Sequence, residues 1–334
     1  MLNKGLYNAM ITSVGHYVPD RVITNKFFEE YLDTSDEWIK TRTGIQERRR
    51  LDRDIPTSFM AVKAIENLLQ NRGIGIEEID LIIVGTVTPD MIYPSTACII
   101  QDKMGAKNAW GFDLLAACSG FIFSLTTAIQ FVQSGSHKKV IVVGADKMSA
   151  ITNMEDRNTC LLFGDAAGAV LLEPTEDKTY GIQDAIMHID GRGGQFLHQL
   201  GGGSLHPASH ETVDKRMHFV YQDGKTVFKE AVKGMADVSY EIMRKNNLKP
   251  EDISYLVPHQ ANLRIITACA DRMGISMEKV MVNIHKYGNT TSATIPTCIS
   301  EYWQNGKIKK GDNLVLSSFG AGYTWGSILL KWAY

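Results

Sequence analysis

The chain lacks any apolar run approaching the roughly 20 residues that a membrane helix needs. Its start, Met1–Ile11, lacks a basic segment followed by a long apolar core. Neither a membrane span nor a secretory leader is expected, and the reading is a cytoplasmic protein. Charge of one sign is also lacking: 35 Lys and Arg stand against 37 Asp and Glu, a formal net charge of −2. No chain-wide field therefore favours nucleic acid, and partners must be chosen at local sites. Cysteine is sparse. Cys98, Cys118, Cys160, Cys269 and Cys298 are an odd number without C-x-x-C spacing, so neither a disulfide framework nor a zinc ribbon is expected. By default most of them are small buried thiols. What is present, 44% hydrophobic and 22% charged residues over 334 positions, suits a globular protein of two domains or of two similar halves.

The sequence repeats itself. Ala61–Val84 and Met235–Pro258 each read as an amphipathic helix, a polar turn and a short apolar strand. Aligning Ile79 with Ile253 sets an offset of 174 residues. The same offset places Val140–Val143 on Leu314–Ser317 and Ala117-Cys118-Ser119 on Thr291-Ser292-Ala293. The expected fold is α/β, with two similar halves of about residues 1–178 and 179–334. Ligands of such sheets gather where chain leaves the carboxyl ends of strands, which directs attention to the turns there. Gly191–Arg216, rich in Gly and His, reads as a loop or cap.

Three turns carry reactive side chains. Cys118 lies between a strand segment, Trp110–Phe112, and a helical run, Phe121–Gln133. A helix N-terminus there favours thiolate, by at most about 1.5 pKa units. His259 follows the strand ending at Pro258, and Asn289 precedes another helix. Taken singly, each has an ordinary structural reading: a packed cysteine, a capping or core histidine, a turn asparagine. The duplication links them, because Cys118 and Asn289 fall in nearly equivalent turns.

On these residues the chain resembles the β-ketoacyl-acyl carrier protein synthase III branch of the thiolase superfamily. The resemblance also rests on Asp33–Ile39 with Thr41–Ile45, Phe163–Ala169, Pro258–Arg264, Gly288–Ala293 and Phe319–Ser327. It implies a thiolase-like duplicated fold of layered halves and a homodimer that starts fatty-acid synthesis. It implies Cys118 as the nucleophile that takes an acyl group from acyl-CoA, with His259 and Asn289 acting on malonyl-acyl carrier protein. Oxyanion donors are implied at the backbone N–H groups of Cys118 and Ala321. Trp38 and Arg42 are implied to sandwich the CoA adenine, with Arg157 as a phosphate-side contact and Phe228 and Asn262 lining the pantetheine tunnel. Gln260, Ala261, Asn262, Leu263 and Arg264 are implied as the carrier docking segment, and Tyr93 as a contributor to the partner subunit's acyl pocket. No cofactor or metal is implied, acyl-CoA being a substrate. His198, His206 and His210 lack the carboxylate or cysteine support of a metal site.

Other readings use the same residues. A relative with another acceptor would work without malonyl-acyl carrier protein. A cysteine hydrolase would use Asn289 to orient His259. A silent thioester-binding protein would require damage at one of the three positions, and none is seen. The starter acyl chain is left open between acetyl and short branched groups.

Overall fold

The computed structural model describes residues 5–334, so the opening of the segment read for a leader, Met1–Lys4, lies outside the described residues. No helix among the described residues is long and apolar enough to cross a membrane.

Strands β1 (Asn8–Tyr17), β2 (Leu81–Gly85), β3 (Trp110–Leu114), β4 (Val140–Lys147) and β5 (Asp165–Thr175) form one sheet in the order β1-β5-β4-β2-β3. β2 runs parallel to both β3 and β4, while β5 is antiparallel to β4 and β1. Strands β6 (Gly181–Ile189), β7 (Tyr255–Pro258), β8 (Asn313–Gly320) and β9 (Thr324–Lys331) form a second sheet, β7-β8-β9-β6. Here β7 and β8 are parallel, and β9 is antiparallel to both neighbours. The counterpart of β3 has shrunk to an isolated bridge between Leu256 and Val280. The first sheet is therefore built from chain before Thr175 and the second from chain after Gly181.

Alternation along the strands creates the layers. Leu81 and Ile83 of β2 face a core shared by both sheets, whereas Ile82 and Val84 face a different core. Val140 and Val142 of β4 and Leu314 and Leu316 of β8 point into the same shared core. A strand buried on both faces must be apolar at successive positions, and each such side chain contributes about 1.5–3 kcal/mol on burial. The shared core is filled by helices α3 (Gly120–Gln133), through Phe121, Leu125 and Ile129, and α6 (Thr294–Gln304), through Ile295 and Ile299. Helices α1 (Thr57–Arg72) and α2 (Thr96–Met104) cover the outer face of the first sheet. Helices α4 (Gly224–Lys245) and α5 (Leu263–Met273) cover that of the second. The result is five layers, helix-sheet-helix-sheet-helix, in which α3 and α6 are central and both start beside the carboxyl ends of strands.

Helix ends follow local chemistry. Ser95, Asp223 and Asn262 cap α2, α4 and α5 by accepting backbone N–H groups at their starts. Gly105 and Gly274 end α2 and α5 in the left-handed conformation that lacks steric cost only for glycine. The segment expected as a loop or cap carries a short 3-10 turn, Gly191–Gln195, and a helix, His210–Asp214.

Candidate active site

Cys118 sits in a 3-10 turn, Ala117–Ser119, that runs directly into α3. Its turn is tied to the other half of the molecule. Ser318 Oγ donates to the Cys118 carbonyl at 2.7 Å, and Ser119 Oγ donates to the Thr324 carbonyl at 2.9 Å. Gly320 is required by close approach, since a Cβ there would stand 2.9 Å from the backbone nitrogen of Cys118. The N–H groups of Cys118 and Ala321 make no turn or loop hydrogen bond among the described residues. The positive φ in this turn belongs to Gly322 (140°) and not to Ala321, so alanine is accommodated without strain.

Although part of Cys118 faces a cavity, burial pushes its thiol up to about 12, and the Asp146 carboxylate adds to the rise. The expected thiolate-favouring helix terminus is thus outweighed. Loss of hydration costs a small anion more than a half-charge at a helix end returns. The resting group is a thiol.

His259 follows β7, and its backbone N–H donates to the Ser317 carbonyl at 2.8 Å. Its Nδ1 pairs with Thr294 Oγ1 at 2.8 Å. Burial alone pulls the imidazole down to about 3, so the ring is neutral at physiological pH.

Asn289 is clamped by the Leu162–Gly164 segment. Its N–H donates to the Leu162 carbonyl at 2.8 Å, and its carbonyl accepts from Gly164 at 3.1 Å. Gly164 and Gly288 fit here because a Cβ on either would crowd a backbone carbonyl, at 2.2 Å and 2.7 Å respectively. Asn289 Oδ1 accepts the Thr291 N–H at 2.9 Å. That bond fixes the amide's sense, so Nδ2 with its two donors is the atom left free of protein partners among the described residues.

These three side chains line one cavity of about 1290 Å³. Leu161, Phe163 and Phe319 provide apolar wall, and the cations Arg42, Arg157, Lys225 and Arg264 also line it. No Asp or Glu lines it among the described residues. None of the four cations is in an ion pair among the described residues, so their charges are available to an anionic ligand.

Several sequence expectations change on the structure. The side chain over Trp38 is Arg157, whose guanidinium carbon lies 4.4 Å from the ring centroid. The structure thus puts Arg157, and not Arg42, against the Trp38 ring, because chain folding brings the segment 119 residues downstream onto it, while Arg42 lines the same cavity. Gln260 cannot serve a docking surface: it is fully buried, donating to the Pro258 and Met281 carbonyls and accepting from Asn283 and Ile284 N–H groups. Asn262 lines the cavity, yet its amide is committed to capping Arg264 N–H and to the Arg42 carbonyl. Leu263 packs on Gly44 outside the cavity, whereas Ala261 lines it. Arg264 is exposed and lies over the Phe228 ring at 4.8 Å. Tyr93 is 84% exposed and does not line this chain's cavity, while its neighbour Ile92 does.

Two supporting residues were not singled out from the sequence. Thr294 reads there as an ordinary helix-start threonine. Asp146 reads as the end of an apolar strand, although it is fully buried and accepts hydrogen bonds from Thr86, Thr88, Thr291 and Ser292.

A duplicated five-layer fold with a cysteine at one central helix start and a neutral histidine and an asparagine beside the other defines a thiolase-fold condensing enzyme, an acyltransferase. Residues 112–191 match the family described as 3-Oxoacyl-[acyl-carrier-protein (ACP)] synthase III, and residues 243–332 match its C-terminal part. The chain is 58% identical to a β-ketoacyl-[acyl-carrier-protein] synthase III of Chlorobaculum tepidum, over 97% of this chain and 99% of that one. It is 52% identical to the Koribacter versatilis protein of the same name, over 98% of each. The crystal structure of 3-oxoacyl-[acyl-carrier-protein] synthase III from Aquifex aeolicus superposes with a TM-score of 0.89 at 42% identity, covering 97% of this chain and 100% of that one. The Thermus thermophilus enzyme gives 0.90 at 42% identity, covering 97% and 99%. The chain belongs to the β-ketoacyl-[acyl-carrier-protein] synthase III family, condensing enzymes of fatty-acid biosynthesis.

Proposed function

We propose that Cys118 accepts a starter acyl group from acyl-CoA and that His259 and Asn289 direct its condensation with malonyl-acyl carrier protein. One observation carries this reading: the three side chains share a cavity whose charged residues are all cationic. A CoA nucleotide and a phosphopantetheine arm are both anionic at one end and carry a thioester at the other, which is what such a cavity suits.

In the first half-reaction the Cys118 sulfur attacks the thioester carbonyl, with the oxyanion held by the Cys118 and Ala321 N–H groups. The CoA sulfur leaves and gains the proton that Cys118 loses, so the exchange is proton-neutral. In the second, the malonyl thioester oxygen accepts hydrogen bonds from His259 Nε2–H and Asn289 Nδ2. The bond to the carboxylate breaks, carbon dioxide departs, and its electron pair forms the enolate. The enolate carbon attacks the acyl-Cys118 carbonyl and expels the sulfur as thiolate, which takes a proton from solvent, so the whole condensation consumes one proton. The two thioesters and the chain's own groups suffice for this chemistry, so no cofactor is proposed.

Trp38 with Arg157 is assigned to the adenine, Arg42 to the phosphates, Phe228 and Asn262 to the pantetheine wall, and Ala261 and Arg264 to the docking rim. The halves 1–178 and 179–334 are proposed as the two units of the duplication, in a cytoplasmic enzyme. A homodimer is proposed through β3. Among the described residues this edge strand has no paired strand on its outer side; Trp110 within it and Leu115 after it are exposed, as is Tyr93, shortly before the helix α2 whose first residues donate to Asp113 of β3. A partner there would bring Tyr93 toward the facing acyl pocket. Incubation with acyl-CoA and then with malonyl-acyl carrier protein tests the whole reading. An acyl adduct on Cys118, then carbon dioxide and β-ketoacyl product, supports it; hydrolysis of acyl-CoA without condensation overturns it.

A further inference from the structure

A neutral imidazole carries one ring proton, so whatever engages one nitrogen decides what the other can do. In His259 the cavity-side role requires a proton on Nε2. The partner of Nδ1 therefore matters as much as the placement of the ring.

That partner is Thr294 Oγ1, 2.8 Å away, the one protein group bonded to Nδ1 among the described residues. A hydroxyl can accept from Nδ1–H or donate to a bare Nδ1. The alternative destination for its proton is the Thr291 carbonyl at 3.0 Å. That carbonyl already accepts the backbone N–H of Thr294 at the end of the 3-10 turn, and so does not require the hydroxyl. With the ring proton on Nε2, as that role requires, Nδ1 has no other donor among the described residues, and a buried nitrogen lone pair left bare costs free energy.

We propose that Thr294 fixes the tautomer of His259, donating its hydroxyl proton to Nδ1 so that the ring proton stays on Nε2 and faces the substrate cavity. The inference rests on the reading of His259 as a donor to the enolate oxygen, and makes Thr294 a positioning residue. Thr294 is the first residue of α6, and the turn before it, Thr291–Ala293, also supplies the N–H that orients the Asn289 amide. One helix start thereby aims both donors of the oxyanion site. Burial supports the assignment by keeping the ring neutral, since a doubly protonated ring would have no tautomer to choose.

The test is long-range proton–nitrogen NMR of histidine-labelled enzyme at neutral pH, with His259 assigned by its loss in His259→Gln. The expected result is a pyridine-type Nδ1 and a pyrrole-type Nε2. In Thr294→Val that pattern should give way to a mixture of the two tautomers, and Thr294→Ser should restore it. In rapid-quench assays Thr294→Val should acylate Cys118 normally but condense roughly 10–100-fold more slowly, the scale for losing an orienting partner, with Thr294→Ser near the parent rate. A pyrrole-type Nδ1 in the parent enzyme, or parental condensation by Thr294→Val, overturns the proposal. Normal condensation by His259→Ala would instead overturn the underlying role of His259, whatever the NMR shows.

Discussion

Ala117 and Thr291, 174 positions apart, adopt the same uncommon backbone conformation, with φ of 48° and 50°, and each opens a 3-10 turn feeding a central helix. Neither residue is glycine, so surrounding contacts must hold both turns in a region that costs an L residue free energy. For Thr291 the holding group is visible. Its hydroxyl donates to Asp146, which also accepts from Ser292 Oγ at 2.7 Å and from the Thr86–Thr88 segment.

Asp146→Asn should therefore destabilise the fold. An amide supplies one acceptor oxygen where the carboxylate supplied two, and it turns an NH2 toward existing donors. The expected loss is about 1–3 kcal/mol in chemical denaturation, the cost of leaving buried polar groups unmatched. An unchanged denaturation midpoint would contradict the role given to Asp146.

The raised Cys118 pKa fixes a pH dependence. The reactive thiolate is a minor species at neutral pH and grows about tenfold per pH unit until the pKa near 12 is approached. Alkylation of the free enzyme by iodoacetamide should thus accelerate steadily from about pH 7 to about pH 10. A plateau beginning near pH 8 would show that the helix terminus outweighs burial after all.

His259 has a folded value of about 3 against an ordinary 6.5. Between those values the unfolded chain takes up a proton that the folded chain does not. The stability this group confers is complete above pH 6.5 and is lost as pH falls toward 3. His259→Gln should show a shallower loss of stability over that acid range, measured by denaturation midpoint against pH. Identical acid limbs would place the burdened group elsewhere.

At the cavity mouth, Arg157→Ala should raise the KM for acyl-CoA roughly tenfold with little change in kcat, because its stacking and charge act on the nucleotide end in ground and transition states alike. A fall in kcat at unchanged KM would contradict that placement. Raising the salt concentration should narrow the difference between parent and variant.

The duplication was legible because strands buried on both faces leave unbroken apolar runs, and the same helix-turn-strand order recurs at a constant spacing. The matching turns at Ala117 and Thr291 bear it out to the residue. Cys118 and His259 were legible because each follows a strand end, and Asn289 because it precedes a helix start in the turn that matches that of Cys118, and the three do line one cavity. What the one-dimensional pattern does not carry is which way a side chain leaves its element. Gln260 is adjacent to His259 yet turns inward to bond four backbone groups. Arg157 lies far from Trp38 in sequence and stacks on it. Asp146 and Thr294 bond to residues distant in sequence, and no local signature marks such pairings.

The division of labour between Cys118 and the His259–Asn289 pair is tested most directly by rapid-quench mass spectrometry of His259→Ala and Asn289→Ala. Both variants should acylate Cys118 at near the parent rate and then accumulate acyl-enzyme, with decarboxylative condensation slowed by roughly 10²-fold or more, the scale for removing one aimed oxyanion donor. If both lose acylation as severely as condensation, the two residues serve the cysteine as a hydrolase triad would, and the assignment of separate half-reactions is wrong.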